Sequence, residues 1–219
     1  MRTALVTGAN RGIGLELCRQ LKGHGYEVTA VCRAATEDLA DLGCRIVSGI
    51  DVTEPRTVGN LASLLQDVSI DLLVNNAGIL IEDRLEDLDL DDIRRQFEVN
   101  TLGPLAITRA LAPRLCDGGK VAMITSRMGS IADNSSGGYY GYRVSKAALN
   151  MAGVNLAHEL RSRGIAVLML HPGMVATEMT GRQGVPVEDA AAMLLERIEQ
   201  LGLQETGTFW HANGERLPW

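Results

Sequence analysis

Short apolar runs alternate with longer amphipathic segments along the chain, and this alternation restricts the folds that it can adopt. Runs such as Ala4-Leu5-Val6 and Leu72-Leu73-Val74 are apolar at every position rather than at every second one. Strands of that kind are buried on both faces, as in a parallel sheet that helices cover on both sides. Alternating strands and helices form right-handed βαβ units. We therefore predict an α/β fold: a single Rossmann-like, doubly wound domain with a parallel sheet of about seven strands and helices on both faces.

The positions of the predicted elements follow from these runs. The predicted strands are Thr3–Thr7, Glu27–Cys32, Arg45–Gly49, Asp71–Asn75, Lys120–Thr125, Ile165–His171 and Thr208–His211. The predicted helices lie between them, at Gly12–Gly23, Thr36–Leu42, Glu54–Gln66, Asp89–Leu115, Tyr140–Arg163 and Pro186–Leu201. No linker, repeat or low-complexity stretch interrupts the pattern, so we predict one domain over residues 1–219.

Composition and charge exclude several classes of protein. With 219 residues, 46% of them hydrophobic, the chain can bury a full core. The net charge is −6 without a basic block, which argues against binding to nucleic acid. No apolar run is long enough to span a membrane, and the chain leads into a strand without a signal-peptide layout. The cysteines (Cys18, Cys32, Cys44 and Cys116) are scattered, as reduced thiols of a cytoplasmic protein would be, and the four histidines lack metal-ligand spacing. We predict a cytoplasmic location and no metal site.

A glycine-rich turn directly follows the first predicted strand and precedes a helical pattern. The turn reads Gly8-Ala9-Asn10-Arg11-Gly12-Ile13-Gly14. Glycines at a strand-to-helix turn let backbone N–H groups approach a pyrophosphate at the helix N-terminus. An ordinary glycine-rich turn is the alternative, but the strand before it and the helix after it favour a dinucleotide site.

The end of the second strand indicates which dinucleotide binds. An acidic residue there would bind the ribose 2′-hydroxyl of NAD, whereas this strand ends in Val31-Cys32-Arg33. Arg33 and Arg11 could clasp a 2′-phosphate through charge-assisted hydrogen bonds, although each could instead be a solvated surface charge. We therefore predict NADP as the cofactor, with NAD as the less favoured alternative.

Tyr142 and Lys146 are the clearest candidates for chemistry. They lie four residues apart in a predicted helix, so both side chains project from one face. A nearby ammonium favours the phenolate, so we expect Lys146 to lower the pKa of Tyr142 and to make it an acid or base usable near neutral pH. The same spacing is common on solvated helices. Tyr139 has Arg143 at the same spacing, but a guanidinium does not exchange protons at neutral pH, so Tyr139 and Tyr140 are interpreted as pocket or helix-start residues.

Further motifs appear in a fixed order downstream of the glycine turn. They are Asp51-Val52, Asn75-Asn76-Ala77-Gly78, Asn100, Ser126, Tyr142 with Lys146, and Pro172-Gly173 with Thr177. The whole set resembles the short-chain dehydrogenase/reductase family. Residues 128–150 and the C-terminal residues are similar to its C-factor/sniffer-type carbonyl reductase branch.

The resemblance implies a role for each motif. Ser126 would hold the substrate carbonyl oxygen, Tyr142 would donate a proton to the forming alkoxide, and Lys146 would also bind the nicotinamide ribose. Asp51 and Val52 would lie along the adenine, and Asn76, Ala77 and Gly78 beside the adenosine ribose. Pro172, Gly173, Val175 and Thr177 would hold the nicotinamide, with Val175 at the carboxamide. The resemblance also implies a homodimer or homotetramer, paired through the helices Asp89–Leu115 and Tyr140–Arg163.

Asn100 is also a candidate on independent grounds. It lies four residues before Pro104 in the predicted helix Asp89–Leu115. Proline has no N–H, so the Asn100 carbonyl loses its helical partner, and Gly103 makes a kink easier. The free carbonyl could bind a water that relays protons from Lys146, or the proline could simply kink the helix.

These observations predict an NADP-dependent oxidoreductase that transfers a hydride between the nicotinamide and a carbonyl or alcohol, with Tyr142 as the general acid or base. The alternatives are a signalling or regulatory protein that binds NAD(P) with little turnover, and an NAD-preferring alcohol dehydrogenase. The segment from Val175 to Pro186 is too short for a large lid, so we expect an open site for small or varied substrates. Met128, Met174 and Met179 would form an adaptable wall or, alternatively, fill the core.

Overall fold

Seven parallel strands form one sheet at the centre of the structure. The structure is a computed structural model that describes residues 2–219. The strands are β1 (Thr3–Thr7), β2 (Glu27–Val31), β3 (Arg45–Val47), β4 (Ile70–Asn75), β5 (Leu115–Ile124), β6 (Ala166–His171) and β7 (Thr208–His211). Their order across the sheet is β3-β2-β1-β4-β5-β6-β7, and all neighbouring pairs are parallel. This arrangement confirms the predicted fold class.

Within residues 2–219, seven α-helices accompany the strands. They are α1 (Gly12–Gly23), α2 (Glu37–Ala40), α3 (Pro55–Leu64), α4 (Leu90–Phe97), α5 (Gly103–Leu111), α6 (Tyr140–Leu160) and α7 (Val187–Gln200). Most predicted elements differ from the observed ones only at their ends. The largest difference at a strand is in β5, which begins at Leu115 rather than at Lys120.

The predicted helix Asp89–Leu115 is helical from Leu90 to Leu111, but it is not one regular α-helix. A π-helical segment, Glu98–Leu102, separates α4 from α5, and there the N–H of Gly103 bonds to the carbonyl of Glu98 five residues earlier. The physical reason lies in Pro104, which has no N–H to donate to the carbonyl of Asn100. The backbone adopts a wider turn before the proline, and such π-bulges occur often at functional sites.

Two hydrophobic clusters occupy the two faces of the sheet. One packs against α1 and α7 and includes Leu72 and Val74 of β4, whereas the other packs against α3, α5 and α6 and includes Leu73. Neighbouring residues of one strand therefore enter different clusters, which explains why the strands are apolar at every position. Burial of each such side chain contributes about 1.5–3 kcal/mol.

The strands β1 to β3 are added toward one edge of the sheet and β4 to β7 toward the other, so the strand order reverses at β1, which lies between β2 and β4. In a doubly wound sheet the crevice at the carboxyl ends of the strands, at this point of reversal, is where ligands bind. Among the helices of residues 2–219, none is both long and apolar enough to cross a membrane.

Candidate active site

The glycine turn after β1 is packed too closely to accept larger residues. Gly8 has a φ of +65°, which favours glycine, and a Cβ on Gly14 would lie only 2.3 Å from the carbonyl oxygen of Gly8. The same Cβ would be 2.5 Å from Nδ2 of Asn76. Gly8 and Gly14 thus leave room for close approach of the backbone, as a phosphate-binding turn requires.

Polar contacts fix the segment after β4 onto this turn. The buried hydroxyl oxygen of Thr7 accepts hydrogen bonds from the N–H groups of Asn76 (3.1 Å) and Ala77 (3.2 Å). Nδ2 of Asn76 donates to the carbonyls of Thr7 (3.0 Å) and Gly8 (3.2 Å). The predicted cofactor residues Gly8, Asn76 and Ala77 therefore meet at the carboxyl ends of β1 and β4.

The beginning of α1 suits an anion. Within residues 2–219, no side chain caps this helix, whose N-cap residue is Arg11 in an extended conformation. Free N–H groups and the positive end of the helix dipole attract phosphate. A Cβ on Gly12 would lie 3.4 Å from Cγ2 of Thr177, so the loop after β6 also borders this helix end. A dinucleotide pyrophosphate fits this arrangement of backbone donors.

The two arginines expected to share the 2′-phosphate lie in the turn after β1 and after the end of β2. Arg11 forms an ion pair with Glu178, in the loop after β6. Arg33 is exposed and follows β2, which lies on the other side of β1 in the sheet. The shared binding of a 2′-phosphate by Arg11 and Arg33 stays a prediction.

Asp51 and Val52 lie beyond β3, near the predicted adenine position. Asp51 accepts hydrogen bonds from the N–H (3.0 Å) and the hydroxyl (2.8 Å) of Thr53. The backbone bond is the main reason why the pKa of Asp51 is lowered, and Arg33 contributes in the same direction. The side chain of Val52 packs against Gly103, where a Cβ would lie 2.7 Å from it. This contact links the predicted adenine wall to the π-helical segment.

The structure brings Ser126, Tyr142 and Lys146 together at the carboxyl end of β5. Ser126 directly follows this strand after Thr125, and its hydroxyl lies close enough to Tyr142 to oppose the rise in the pKa of the phenol. Nζ of Lys146 donates to the carbonyl of Ile124 (2.9 Å), the last residue of β5. All three side chains are buried. The helix α6 and the end of β5 thus hold an acid, its hydroxyl partner and a cation in one small region.

Burial shifts the pKa values of Tyr142 and Lys146 in opposite directions. Burial raises the pKa of Tyr142 to about 12, and the hydrogen bond with Ser126 opposes this shift. Burial lowers the pKa of Lys146 to about 8. The pKa of Tyr142 is therefore raised rather than lowered in this structure, because loss of hydration disfavours the phenolate, and the expected effect of the Lys146 ammonium stays a prediction.

Asn100 is fully buried in the π-helical segment, and its side chain is engaged by three hydrogen bonds. Its Oδ1 accepts from the N–H of Ile79 (2.8 Å), and its Nδ2 donates to the carbonyl of Ile79 (2.8 Å) and to the hydroxyl of Ser145 (3.0 Å). A Cβ on Gly78 would lie 3.2 Å from Oδ1 of Asn100 and 3.7 Å from Nζ of Lys146. Asn100 therefore lies near Lys146, and the water relay stays a prediction.

The loop after β6 forms the other wall of the crevice. Pro172 and Val175 are buried, and Gly173 has a φ of +87°, which favours glycine. The ring of His211 in β7 lies about 3.3 Å from the position that a Cβ on Gly173 would take. Sequence reasoning missed this histidine and its neighbour His171, because a lone histidine at a strand end carries no spacing signal.

His171 and His211 form a pair at the carboxyl ends of β6 and β7. Their ring centroids are 4.8 Å apart in an edge-to-face arrangement. Burial lowers the pKa of His171 to about 3, and the positive charges of Arg127 and Lys146 contribute. Burial also lowers the pKa of His211. Both imidazoles are neutral at physiological pH and add no positive charge beside Lys146.

The segment between Ser126 and α6 is exposed from residue 131 to residue 137. Arg143 holds it through bonds to the carbonyl of Gly138 (3.0 Å) and the hydroxyl of Ser136 (2.8 Å). Tyr139 precedes α6 with a φ of +51°, and Tyr140 is its first residue. The interpretation of these two tyrosines as helix-start residues is thus confirmed by the structure.

Of the three methionines in the predicted wall, the two in the loop after β6 are not core residues. Met174 is 56% exposed and Met179 is 45% exposed, so core filling is excluded for both. Met128, in the turn after Ser126, is partly buried. Among residues 2–219, no group of three or more histidine, cysteine or acidic side chains could hold a metal ion.

The order and placement of these residues agree with one known family. A family model described as short chain dehydrogenase matches residues 2–186 of the chain. The chain belongs to the short-chain dehydrogenase family. Membership confirms the predicted family and the prediction of an oxidoreductase.

Individual relatives extend this similarity over the whole chain. The 1-hydroxy-2-glutathionyl-2-methyl-3-butene dehydrogenase of Rhodococcus sp. (strain AD45) is 45% identical over an alignment of 226 residues that covers 100% of both chains. The NADPH-bound carbonyl reductase from chicken fatty liver has a TM-score of 0.91 at 31% identity, covering 100% of this chain and 99% of that one. The carbonyl reductase Sniffer of D. melanogaster has a TM-score of 0.93 at 28% identity, with 100% of both chains covered. The similarity to Sniffer agrees with the predicted branch of this short-chain dehydrogenase.

Proposed function

We propose that this short-chain dehydrogenase reduces carbonyl compounds with NADPH, and that Tyr142 is its general acid. The observation that carries the proposal is the convergence of Ser126, Tyr142 and Lys146 at the carboxyl end of β5. The carbonyl reductases among the similar structures, one of them with NADPH bound, support it.

The cofactor would lie along the crevice described above. The N–H groups at the start of α1 would bind the pyrophosphate, and Arg33 would bind the 2′-phosphate. Asp51 and Val52 would border the adenine, and Lys146 would bind the nicotinamide ribose. The bound nicotinamide would supply the hydride.

The side chains of the site would then supply the proton that the forming alkoxide needs. With a pKa of about 12, Tyr142 keeps its proton at neutral pH and is available as a donor to a forming alkoxide. Ser126 would hold the carbonyl oxygen and orient it toward the phenol. Lys146, with a pKa of about 8, exchanges its own proton near physiological pH and could restore the proton of Tyr142.

A second candidate reaction is the oxidation of an alcohol in a glutathione conjugate. The full-length similarity to the dehydrogenase named for 1-hydroxy-2-glutathionyl-2-methyl-3-butene favours it. Both reactions use the same site in opposite directions, so a comparison of substrates distinguishes them. The NAD(P)-binding signalling protein stays the alternative from another class, and absence of turnover on all substrates would favour it.

The proposed function is tested with a substrate panel and a matched pair of variants. Purified protein is assayed with NADPH against aldehydes, ketones and quinones, and with NADP⁺ against hydroxyalkyl glutathione conjugates. Tyr142→Phe should abolish turnover and leave NADPH binding intact. Tyr140→Phe is the control, because Tyr140 is 40% exposed and lies two residues away in the same helix. Retained turnover in Tyr142→Phe would exclude Tyr142 as the acid.

We also propose a cytoplasmic location and a homodimer or homotetramer. The four cysteines are all unpaired, as expected for a reducing compartment. Exposed apolar residues lie on the helices expected to pair, at Leu102, Leu105, Val144 and Met151. Light scattering coupled to size exclusion would give the mass in solution, and a monomer at micromolar concentration would contradict the assembly.

A further inference from the structure

The beginning of α6 is fixed by one buried carboxylate outside the predicted site. Asp83 is only 6% exposed, and its carboxylate accepts hydrogen bonds from the N–H groups of Tyr140 and Gly141, the latter at 2.9 Å. Its own carbonyl accepts from the N–H of Tyr139 (3.0 Å). Asp83 thus satisfies three successive donors immediately before Tyr142, although it lies 57 positions before Tyr140 in the sequence.

No basic side chain shares this carboxylate. None of the ion pairs formed within residues 2–219 includes Asp83. Burial of a carboxylate is costly unless charge or hydrogen bonds compensate it. Here the compensation comes from the backbone donors and positive dipole end of α6. The position of the carboxylate and the position of the helix start therefore depend on each other.

The segment that carries Asp83 is itself held in place by side chains of the neighbouring helical region. Asn100 binds both backbone polar groups of Ile79, and Oε1 of the fully buried Gln96 accepts from the N–H of Ile81 (2.9 Å). Gln96 and Asn100 lie four residues apart, and they bind alternate residues of the irregular segment that follows β4. Asp83 is the next alternate residue after Ile79 and Ile81, so it lies on a stretch of backbone that Asn100 and Gln96 hold in place. The same stretch begins at the end of β4, where it contacts the glycine turn.

Gly141 shows how closely the first turn of α6 packs against the segment that carries Asp83. A Cβ on Gly141 would lie 2.4 Å from Nε2 of Gln96 and 3.1 Å from Oδ2 of Asp83. The first turn of α6 therefore cannot shift toward that segment, and the Asp83 bonds prevent a shift away from it. Tyr142 is the next residue, and its hydroxyl must reach Ser126 across the crevice.

We propose that Asp83 is a positioning residue for Tyr142, which fixes the first turn of α6 so that the phenol meets the substrate oxygen beside Ser126. The expected effect of Asp83 on turnover rests on the proposed function, whereas its expected effect on the start of α6 does not. A cap that served stability alone would change the unfolding temperature without a specific loss of kcat.

The kinetic test compares Asp83→Ala with a matched cap elsewhere. In Asp83→Ala we expect kcat to fall by about 10²-fold, as for a misplacement of roughly 1 Å, with the Kd of NADPH unchanged. Asp83→Asn keeps one acceptor oxygen but turns its amide N–H₂ toward the second backbone donor, so its loss of kcat should lie between the wild type and Asp83→Ala, and this intermediate loss carries the test if the alanine variant fails to fold. The control is Asp89→Ala, because Asp89 caps α4 through the N–H of Asp91 (2.8 Å) and α4 carries no proposed catalytic residue. It should lower the unfolding temperature and leave kcat unchanged.

A second measurement does not depend on activity. Hydrogen–deuterium exchange of a peptide covering residues 138–146 should accelerate in Asp83→Ala and stay at the wild-type rate in Asp89→Ala. Unchanged exchange, unchanged kcat, or an equal loss of kcat in the Asp89 control would each overturn the positioning role. If the wild type turns over no substrate, the proposed function fails, and the exchange rates still decide whether Asp83 fixes the helix start.

Discussion

Replacement of Lys146 by methionine should change how the stability of the protein depends on pH. Lys146 is 4% exposed, and burial lowers its pKa from 10.5 to about 8 in the folded protein. Between these values the unfolded chain binds more protons than the folded one, so the contribution of Lys146 to stability rises with pH through this window. Methionine has a similar length and no titratable group, so the variant should lose that rise.

The size of the effect follows from the two pKa values. The full difference of about 2.5 pH units corresponds to about 3.4 kcal/mol at 1.36 kcal/mol per unit. Between pH 7 and pH 9 only part of it is realised, and the linkage relation gives about 1.3 kcal/mol. His171 feels the charge of Lys146, but its pKa of about 3 keeps it neutral over this range. Tyr142, with a pKa of about 12, also keeps its proton there.

The assay is urea unfolding of wild type and Lys146→Met at pH 7, 8 and 9. The free energy of unfolding of the wild type should gain about 1.3 kcal/mol over the variant between pH 7 and pH 9. Lys22→Met, at an exposed lysine, controls for the change in net charge. Parallel pH profiles of wild type and Lys146→Met, or a difference of opposite sign, would refute a buried lysine with a lowered pKa.

Further predictions concern the cofactor crevice and the core. Gly14→Ala should weaken NADPH binding, measured by fluorescence titration, because its Cβ would lie 2.3 Å from the Gly8 carbonyl oxygen; wild-type affinity would contradict the tight turn. Arg33→Ala should reduce the ratio of NADPH to NADH affinity by about tenfold or more, the worth of a charge-assisted bond; an unchanged ratio would exclude Arg33 as the 2′-phosphate ligand. Phe209→Ala, at a side chain 1% exposed, should destabilise the protein by about 3–5 kcal/mol in urea unfolding; a loss below about 1 kcal/mol would mean that the site repacks.

The parallel sheet was predictable because the sequence of its strands shows that they are buried on both faces. Leu72, Leu73 and Val74 are apolar at each position because neighbouring residues enter different clusters on the two faces. The helical region from Asp89 to Leu115 was not predicted correctly, since periodicity does not distinguish an α-helical turn from a π-helical one. The proline that causes the difference is visible in the sequence, but its effect is a change of backbone path that pattern alone does not specify.

The candidate site was predictable where a motif fixes a residue's place along the chain. Ser126, Tyr142 and Lys146 meet as expected because one follows a strand and two lie one turn apart in α6. Asp83 and Gln96 were missed because their partners are backbone groups far away in sequence, which leave no spacing signal. The direction of the Tyr142 pKa shift was also missed, since it depends on how deeply the phenol is buried.

The opposite pKa shifts of Tyr142 and Lys146 bear on the direction of the reaction. Burial disfavours charge, so it keeps the phenol protonated and makes the ammonium easier to deprotonate. A protonated phenol is ready to donate to an alkoxide, which is the need of carbonyl reduction, whereas alcohol oxidation needs a base. On the proposed mechanism, reduction therefore proceeds at pH 7, whereas oxidation should require a higher pH. A reductive kcat that is constant up to about pH 8, where Lys146 loses its proton, and falls above it, together with an oxidative kcat that rises above that pH, is the pattern that this protonation implies.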